Sequence, residues 1–274
     1  MRSGGGAATE EFIVTKEYRR FTAFGDACRR DRSIGLCYGP PGVGKTLSAR
    51  QYARWDLFEA ARPHYRWPAQ PPAAALPCRT VRYTAPVTGS AGTIERGVRD
   101  LRQRVRLLVE DAIIALHGGT GNGHAMDATD IVALRIVDEA DRLRLQGLAQ
   151  LRDIDDQRRV GLILIGMPGL EQRMAGYPQL YSRVGFVQHY RPLGGEELRF
   201  ILEHKWAQLG LKLDPTDCTD AEAIAAITRI TGGNFRLVQR RFAQIERILQ
   251  INGLRTITGE VVQAAREQLV IGAT

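Results

Sequence analysis

Lysine is nearly missing from this chain. Of its 38 basic residues only Lys16, Lys45, Lys205 and Lys212 are lysines, so arginine carries almost all the positive charge. Arginine's planar fork matches phosphate geometry and stays charged at any physiological pH. Against 30 acidic residues the net charge is +8, which points to an anionic partner such as nucleic acid. The bland alternative is the codon bias of a GC-rich genome. Cysteine is sparse and unpaired: Cys28, Cys37, Cys78 and Cys218 form no C-x-x-C, which excludes a zinc ribbon and a disulfide framework. Cys37 lies in an apolar run and reads as core packing. The five histidines are equally scattered and are given no metal-ligand role. No stretch approaches the roughly 18–20 apolar residues that span a bilayer. Residues 1–9 have no apolar segment of the secretory kind. The expectation is a cytoplasmic protein, with no membrane contact and a flexible tail at 1–9.

What is present is ordinary for a globular protein: 44% hydrophobic and 25% charged residues in a chain of 274. That length suffices for one large domain, or for one domain with a small second one. Residues 10–30 read as a charged helix leading into the apolar strand Ile34-Gly35-Leu36-Cys37-Tyr38. A helix follows from Thr46 to about residue 61. Residues 63–77 contain five prolines and read as an irregular surface excursion. A strand is expected at 79–84 and a long helix at 93–116. In that helix Ile94, Val98, Leu101, Val105 and Leu108 recur on one face. The glycine-rich stretch at 118–127 reads as a flexible loop. Apolar runs at 131–137, 160–165 and 186–190 alternate with helical segments, the signature of a parallel α/β sheet. Beyond 192 the pattern is helical throughout, at 195–209, 219–230, 235–250 and 259–269. The domains expected are an α/β nucleotide-binding domain at 10–192 and an all-helical one with a C-terminal segment at 193–274.

Two motifs carry the chemistry. Gly39-Pro40-Pro41-Gly42-Val43-Gly44-Lys45-Thr46, placed between a strand and a helix, fits the phosphate-binding loop pattern G-x-x-x-x-G-K-[ST]. Its glycines let backbone N–H groups turn toward the phosphates, Lys45 reaches the β and γ oxygens, and Thr46 offers a hydroxyl to Mg²⁺. The helix N-terminus adds partial positive charge. Leu47 is counted with this ATP-binding set. The second motif ends the run Val132-Ala133-Leu134-Arg135-Ile136-Val137-Asp138-Glu139. A buried strand carries its last carboxylates to the C-terminal edge of a sheet, where ligands bind. Asp138 is the expected Mg²⁺ partner, directly or through water, and Glu139 the group that polarises the attacking water.

With these motifs the sequence resembles the AAA+ ATPases over roughly residues 12–255. Asp138-Glu139-Ala140-Asp141-Arg142 looks like the extended Walker B of that superfamily. The resemblance implies a P-loop NTPase fold, a parallel five-stranded sheet flanked by helices with a small helical lid. Tyr181-Ser182-Arg183 resembles the box that gives an arginine finger to a neighbouring subunit, with Arg173 in reserve. Gly233-Asn234-Phe235-Arg236 resembles sensor 2, whose arginine reaches the γ-phosphate from the lid. One departure stands out. At the sensor-1 position, where AAA+ proteins carry a polar side chain, Ile165-Gly166 is followed by Met167, and a thioether does not orient water as an amide or hydroxyl does. Slow hydrolysis, or hydrolysis completed by a partner, is expected.

Within the superfamily the order of features is most similar to the regulators of DNA transposition of the TnsC, TniB and MuB type. The likeness lies in Val137-Asp138-Glu139-Ala140-Asp141-Arg142-Leu143, in Leu164-Ile165-Gly166-Met167-Pro168-Gly169-Leu170 and in the segment 177–185. It implies an ATP-dependent ring or helical filament on double-stranded DNA that recruits or stimulates a transposase. Independently, Arg96, Arg99, Arg102 and Arg106 lie close together along the 93–116 helix, where a phosphate backbone would relieve their mutual repulsion. A solvated face neutralised by neighbouring acids is the other reading. No zinc-finger or RNP-type aromatic motif is present, so phosphate contact without base readout is expected. Arg240, Arg241 and Arg247 form another basic group whose partner stays open. Two readings compete. A replication-type initiator or helicase loader commonly appends a helix-turn-helix, and the chain after Leu254 is too short to hold one. An ExeA-like secretion ATPase usually adds a membrane or peptidoglycan-binding segment, which is not seen.

Overall fold

The computed structural model describes residues 12–60, 73–117, 131–158 and 160–267. The tail expected at 1–9, the stretch 63–72 with four of the five prolines, the loop at 118–127 and the last residues of the C-terminal segment lie outside the described residues.

The chain opens with α1 (Lys16–Asp31), capped by the Thr15 hydroxyl, which accepts from the Tyr18 N–H. Then follow β1 (Ile34–Tyr38), α2 (Lys45–Tyr52), α3 (Trp55–Ala60), β2 (Thr80–Thr84) and α4 (Ala91–His117). Next come β3 (Leu134–Asp138), α5 (Leu145–Arg158), β4 (Gly161–Gly166), α6 (Leu170–Ala175), α7 (Pro178–Tyr181) and β5 (Val184–His189). After β5 every described element is a helix: α8 (Gly195–Gln208), α9 (Cys218–Thr231), α10 (Phe235–Asn252) and α11 (Gly259–Glu267). No described helix is long and apolar enough to cross a membrane.

The five strands form the expected parallel sheet, in the order β2-β3-β4-β1-β5. Because β4 lies between β1 and β3, the loops leaving those two strands open on the same edge. Such a crevice beyond the carboxyl ends of parallel strands is where α/β sheets bind ligands. The apolar stripe of α4 behaves as its spacing requires. Ile94 and Val98 are buried against Tyr83 and Val137 on one sheet face, and Val105 and Leu108 continue into a neighbouring cluster with Val81 and Val132. The other face meets α1, with Phe21, Phe24 and Cys28 against Ile136, Ile163 and Ile165. The helices after β5 have an apolar core of their own, built around Trp206, Ile227, Phe242 and Ile245.

The structure corrects three boundaries. The helix expected from Thr46 to residue 61 is two helices, because Arg54 adopts a left-handed φ of 50° and breaks the ladder. The break lets Trp55 and Phe58 turn into the core, and the Arg54 guanidinium donates to the Ala74 carbonyl at 2.9 Å. β3 starts at Leu134 and takes in Asp138, whose carboxylate is therefore part of the sheet. β5 begins two residues earlier than expected, at Val184, because a register shift opposite Ile34 and Gly35 accommodates Gly185.

Candidate nucleotide-binding site

The loop between β1 and α2 turns through two glycines in the left-handed region, Gly42 at φ 80° and Gly44 at φ 112°. Gly44 is the N-cap of α2 and supplies no side-chain cap, so the first amides of that helix keep their donors for something else. Gly39 is fixed by crowding: a Cβ there would lie 2.1 Å from the Tyr190 carbonyl oxygen. Tyr190 underpins the loop from the end of β5, and its hydroxyl shares a 2.7 Å hydrogen bond with Ser48 of α2. Lys45 is buried, and its ammonium donates to the carbonyls of Gly39 at 2.6 Å and Pro40 at 2.8 Å. Burial pulls its pKa down; the charges of Asp138, Glu139 and Asp141 act in the opposite direction. A cation in that field attracts a phosphate oxygen strongly, because little water screens it.

At the end of β3 the two acids part company. Asp138 is buried and doubly held: one carboxylate oxygen accepts from the Arg82 guanidinium at 2.8 Å, the other from the Glu139 N–H at 3.0 Å. Glu139 is half-exposed and sits at φ 57°. For a residue with a Cβ that conformation costs about 1 kcal/mol or more, and such strain concentrates at functional positions. The Glu139 carboxylate pairs with Arg142 at 3.5 Å. Arg82 escaped the sequence reading. Its only signal is a charge at the centre of Thr80-Val81-Arg82-Tyr83-Thr84, which becomes meaningful once β2 is known to lie beside β3.

The helical region reaches the same place. Asn234 caps α10 through its carbonyl oxygen, which accepts from the Leu237 N–H, while its amide donates to the Pro41 carbonyl at 2.8 Å. The Arg236 N–H donates to the Gly42 carbonyl at 2.9 Å. A Cβ on Gly42 would stand 2.5 Å from the Asn234 carbonyl oxygen, so glycine is required there by contact as well as by φ. Lys45, Thr46, Leu47, Asp138, Glu139, Met167 and Arg236 thus line one cleft of about 410 Å³. A second hollow of about 170 Å³ adjoins it and shares Gly44, Leu47, Phe235 and Gln239 with it. Phe12, Ile13, Val43, Tyr190 and Leu193 give that hollow apolar walls. Apart from Val43, which belongs to the glycine-rich loop, those residues were missed because they come from two distant stretches of chain, 12–13 and 190–193. The donor set of the larger cleft suits a triphosphate with Mg²⁺: turned glycine amides, an ammonium, a guanidinium, and hard oxygens on Thr46 and Asp138.

Of the other expected residues, the arginines lie outside the cleft. Arg183 is exposed just before β5, away from its own cleft lining. Arg173 is half-buried and donates to the carbonyls of Asp141, at 2.5 Å, and Leu143. Met167 lines the cleft, and its N–H donates to the Asp141 carboxylate at 3.2 Å. On α4, Arg96, Arg99, Arg102 and Arg106 share a flank beside the buried stripe. Arg99 pairs with Glu95, and Arg106 with Glu110 at 2.7 Å, so part of that charge is answered within the helix.

The profile of the AAA domain family matches residues 28–174, more than half of the chain. A potential ATP-binding protein of Staphylococcus aureus is 44% identical over 96% of this chain and 98% of its own length. Two more distant relatives carry informative names. The Mu-like prophage FluMu DNA transposition protein B of Haemophilus influenzae is 24% identical, over 85% of this chain and 71% of that protein. The ATP-dependent target DNA activator B of Escherichia phage Mu is 29% identical over 56% of this chain and 42% of that protein. Among solved structures, the Thermotoga maritima RuvB Holliday junction branch migration motor superposes with a TM-score of 0.57. It covers 97% of this chain and 73% of its own, at 17% identity, a likeness of fold.

Proposed function

The chain belongs to the AAA domain family, and from that premise we propose that it binds and hydrolyses ATP with Mg²⁺ to control a DNA-bound assembly in transposition. The observation that carries the first half is the convergence of Lys45, Thr46, Asp138, Glu139 and Arg236 on one cleft from three separate parts of the fold. The turned amides of 42–46 and the Lys45 ammonium hold the triphosphate, while the smaller apolar hollow receives the base. Mg²⁺, when bound, neutralises charge on the phosphate oxygens, with Thr46 and Asp138 as its protein partners. Glu139 orients and polarises the attacking water, and Arg236 answers the charge that grows on the γ-phosphoryl oxygens. Arg183, exposed and outside the lining of its own cleft, serves the cleft of a neighbouring copy in a ring or helical filament. Met167 brings only a thioether and a backbone amide to the fourth strand's end, so hydrolysis by the isolated chain is slow; robust turnover without DNA or partner counts against this.

The second half rests on one relative named for DNA transposition, another named as an ATP-dependent target DNA activator, and the arginine-rich composition of the chain. In this reading the chain assembles on double-stranded DNA through phosphate contacts and recruits or stimulates a transposase. Titration calorimetry with ATP tests the site. Lys45→Ala abolishes binding, whereas Glu139→Gln retains binding and stops turnover, holding the ATP state. Loss of binding in Glu139→Gln would mean that the two acids do not divide the work this way. Electron microscopy with arbitrary linear DNA tests the assembly: filaments that appear only with ATP support it, and bare DNA refutes it.

A further inference from the structure

Glu139 keeps its left-handed backbone because the turn that follows is anchored from both sides. On one side the Asp138 carbonyl accepts from the Ala85 N–H at 2.9 Å, and the Arg142 guanidinium donates back to the Ala85 carbonyl at 3.2 Å. On the other, α6 sends in Arg173, whose two terminal nitrogens donate to the carbonyls of Asp141 and Leu143. The Asp141 carboxylate completes the anchor by accepting from the Met167 N–H, close against Gly166, where a Cβ would stand 2.7 Å away. A strained conformation persists only where its surroundings over-determine it. Of these anchors Arg173 alone bridges two carbonyls of the turn at once, and a planar guanidinium does so in a fixed geometry.

We infer that Arg173 is a positioning residue of its own subunit, bracing the turn that presents Glu139, and that it is not an arginine finger offered to a neighbour. This role rests on the hydrolytic reading of Glu139 above. Both of its terminal nitrogens donate to carbonyls within the chain, about thirty residues back in sequence, and its side chain is half-buried there. Cutting the brace lets the turn relax and displaces the Glu139 carboxylate, while the phosphate loop on β1 and α2 keeps its own contacts. Misplacing a catalytic group by an ångström costs on the order of a hundredfold in rate. Binding of the nucleotide is hardly touched.

Single-turnover hydrolysis and ATP affinity of the full chain, with DNA present, test this in wild type, Arg173→Met and Arg173→Lys. The expected result is a rate lowered about tenfold or more in Arg173→Met, with affinity within about threefold of wild type. Arg173→Lys recovers part of the rate, since an ammonium still donates to one carbonyl, and it carries the test if the Met variant does not fold. Mixing Arg173→Met with Glu139→Gln chains restores nothing when Arg173 serves its own site. Activity regained in that mixture shows action in trans and overturns the inference. An unchanged rate, or an affinity that falls as far as the rate, overturns it too. If the wild type itself hydrolyses nothing, the reading of Glu139 fails, and the role of Arg173 falls with it.

Discussion

Asp138 and Glu139 are neighbours in sequence with opposite surroundings, and the difference follows from where β3 ends. Asp138 still belongs to the strand, so its side chain lies on the sheet beside Arg82, with the two side chains 5% and 9% exposed. At such burial neither charge is tolerable without the other. Replacing Arg82 by Met leaves a buried carboxylate without its cation and is expected to cost about 3–5 kcal/mol of stability in urea unfolding. Adding Asp138→Asn to that variant removes the orphaned charge and recovers part of the stability loss, although ATP hydrolysis is expected to be lost with the Asp138 carboxylate. Additive losses in the double variant would show that the pair is not coupled. None of this was visible from the motif alone. The two acids are legible as a pair, but Arg82 lies 56 positions upstream and is brought to them by strand pairing.

Among the elements, α10 is the one whose first turn does two jobs. Asn234 caps the helix and also holds the glycine-rich loop, so the helical region and the loop shape are linked through this side chain and the Arg236 N–H. Asp at this position keeps the capping acceptor, and its charge suits a helix N-terminus. It lacks the amide donor and sets a carboxylate against the Pro41 carbonyl. Asn234→Asp is therefore expected to melt like wild type yet bind ATP about tenfold more weakly, the worth of one hydrogen bond and some repulsion. Calorimetry beside a thermal melt separates the two effects; equal affinity would show that the contact with Pro41 carries nothing. The Gly-Asn-Phe-Arg signature pointed to Arg236 by resemblance. That Asn234 and the Arg236 backbone do the gripping is decided by the tertiary fold, because the partner lies 193 residues away for Asn234. The split between α2 and α3 was illegible for a similar reason. Residues 46–61 contain no proline or glycine, and only the pull of Trp55 and Phe58 into the core explains why Arg54 turns left-handed.

For the molecule as a whole the governing quantity is charge, +8 carried mostly by arginine. If that charge meets phosphates, the logarithm of DNA affinity falls linearly with the logarithm of salt concentration, by about 0.9 for each phosphate neutralised. Replacing Arg96, Arg99, Arg102 and Arg106 together with Ala is expected to flatten that slope. Arg99 and Arg106 contribute less than the count suggests, since Glu95 and Glu110 already partner them. Filter binding at several salt concentrations with unrelated duplexes is the check; affinity that ignores salt and follows sequence would remove phosphate contact as the basis. The sequence by itself determined the alternation that builds a parallel sheet, the helical tail beyond it, and the glycine-rich loop that ends at Lys45 and Thr46. These follow from periodicity and from residues a few positions apart, and local backbone chemistry suffices to read them. Only the tertiary structure decided which distant side chains share the cleft: Arg82 on Asp138, Asn234 on Pro41, Arg173 under the turn of Glu139, Tyr190 beneath the loop. Their contacts depend on the order in which strands are laid side by side, and no property of a short stretch encodes that order.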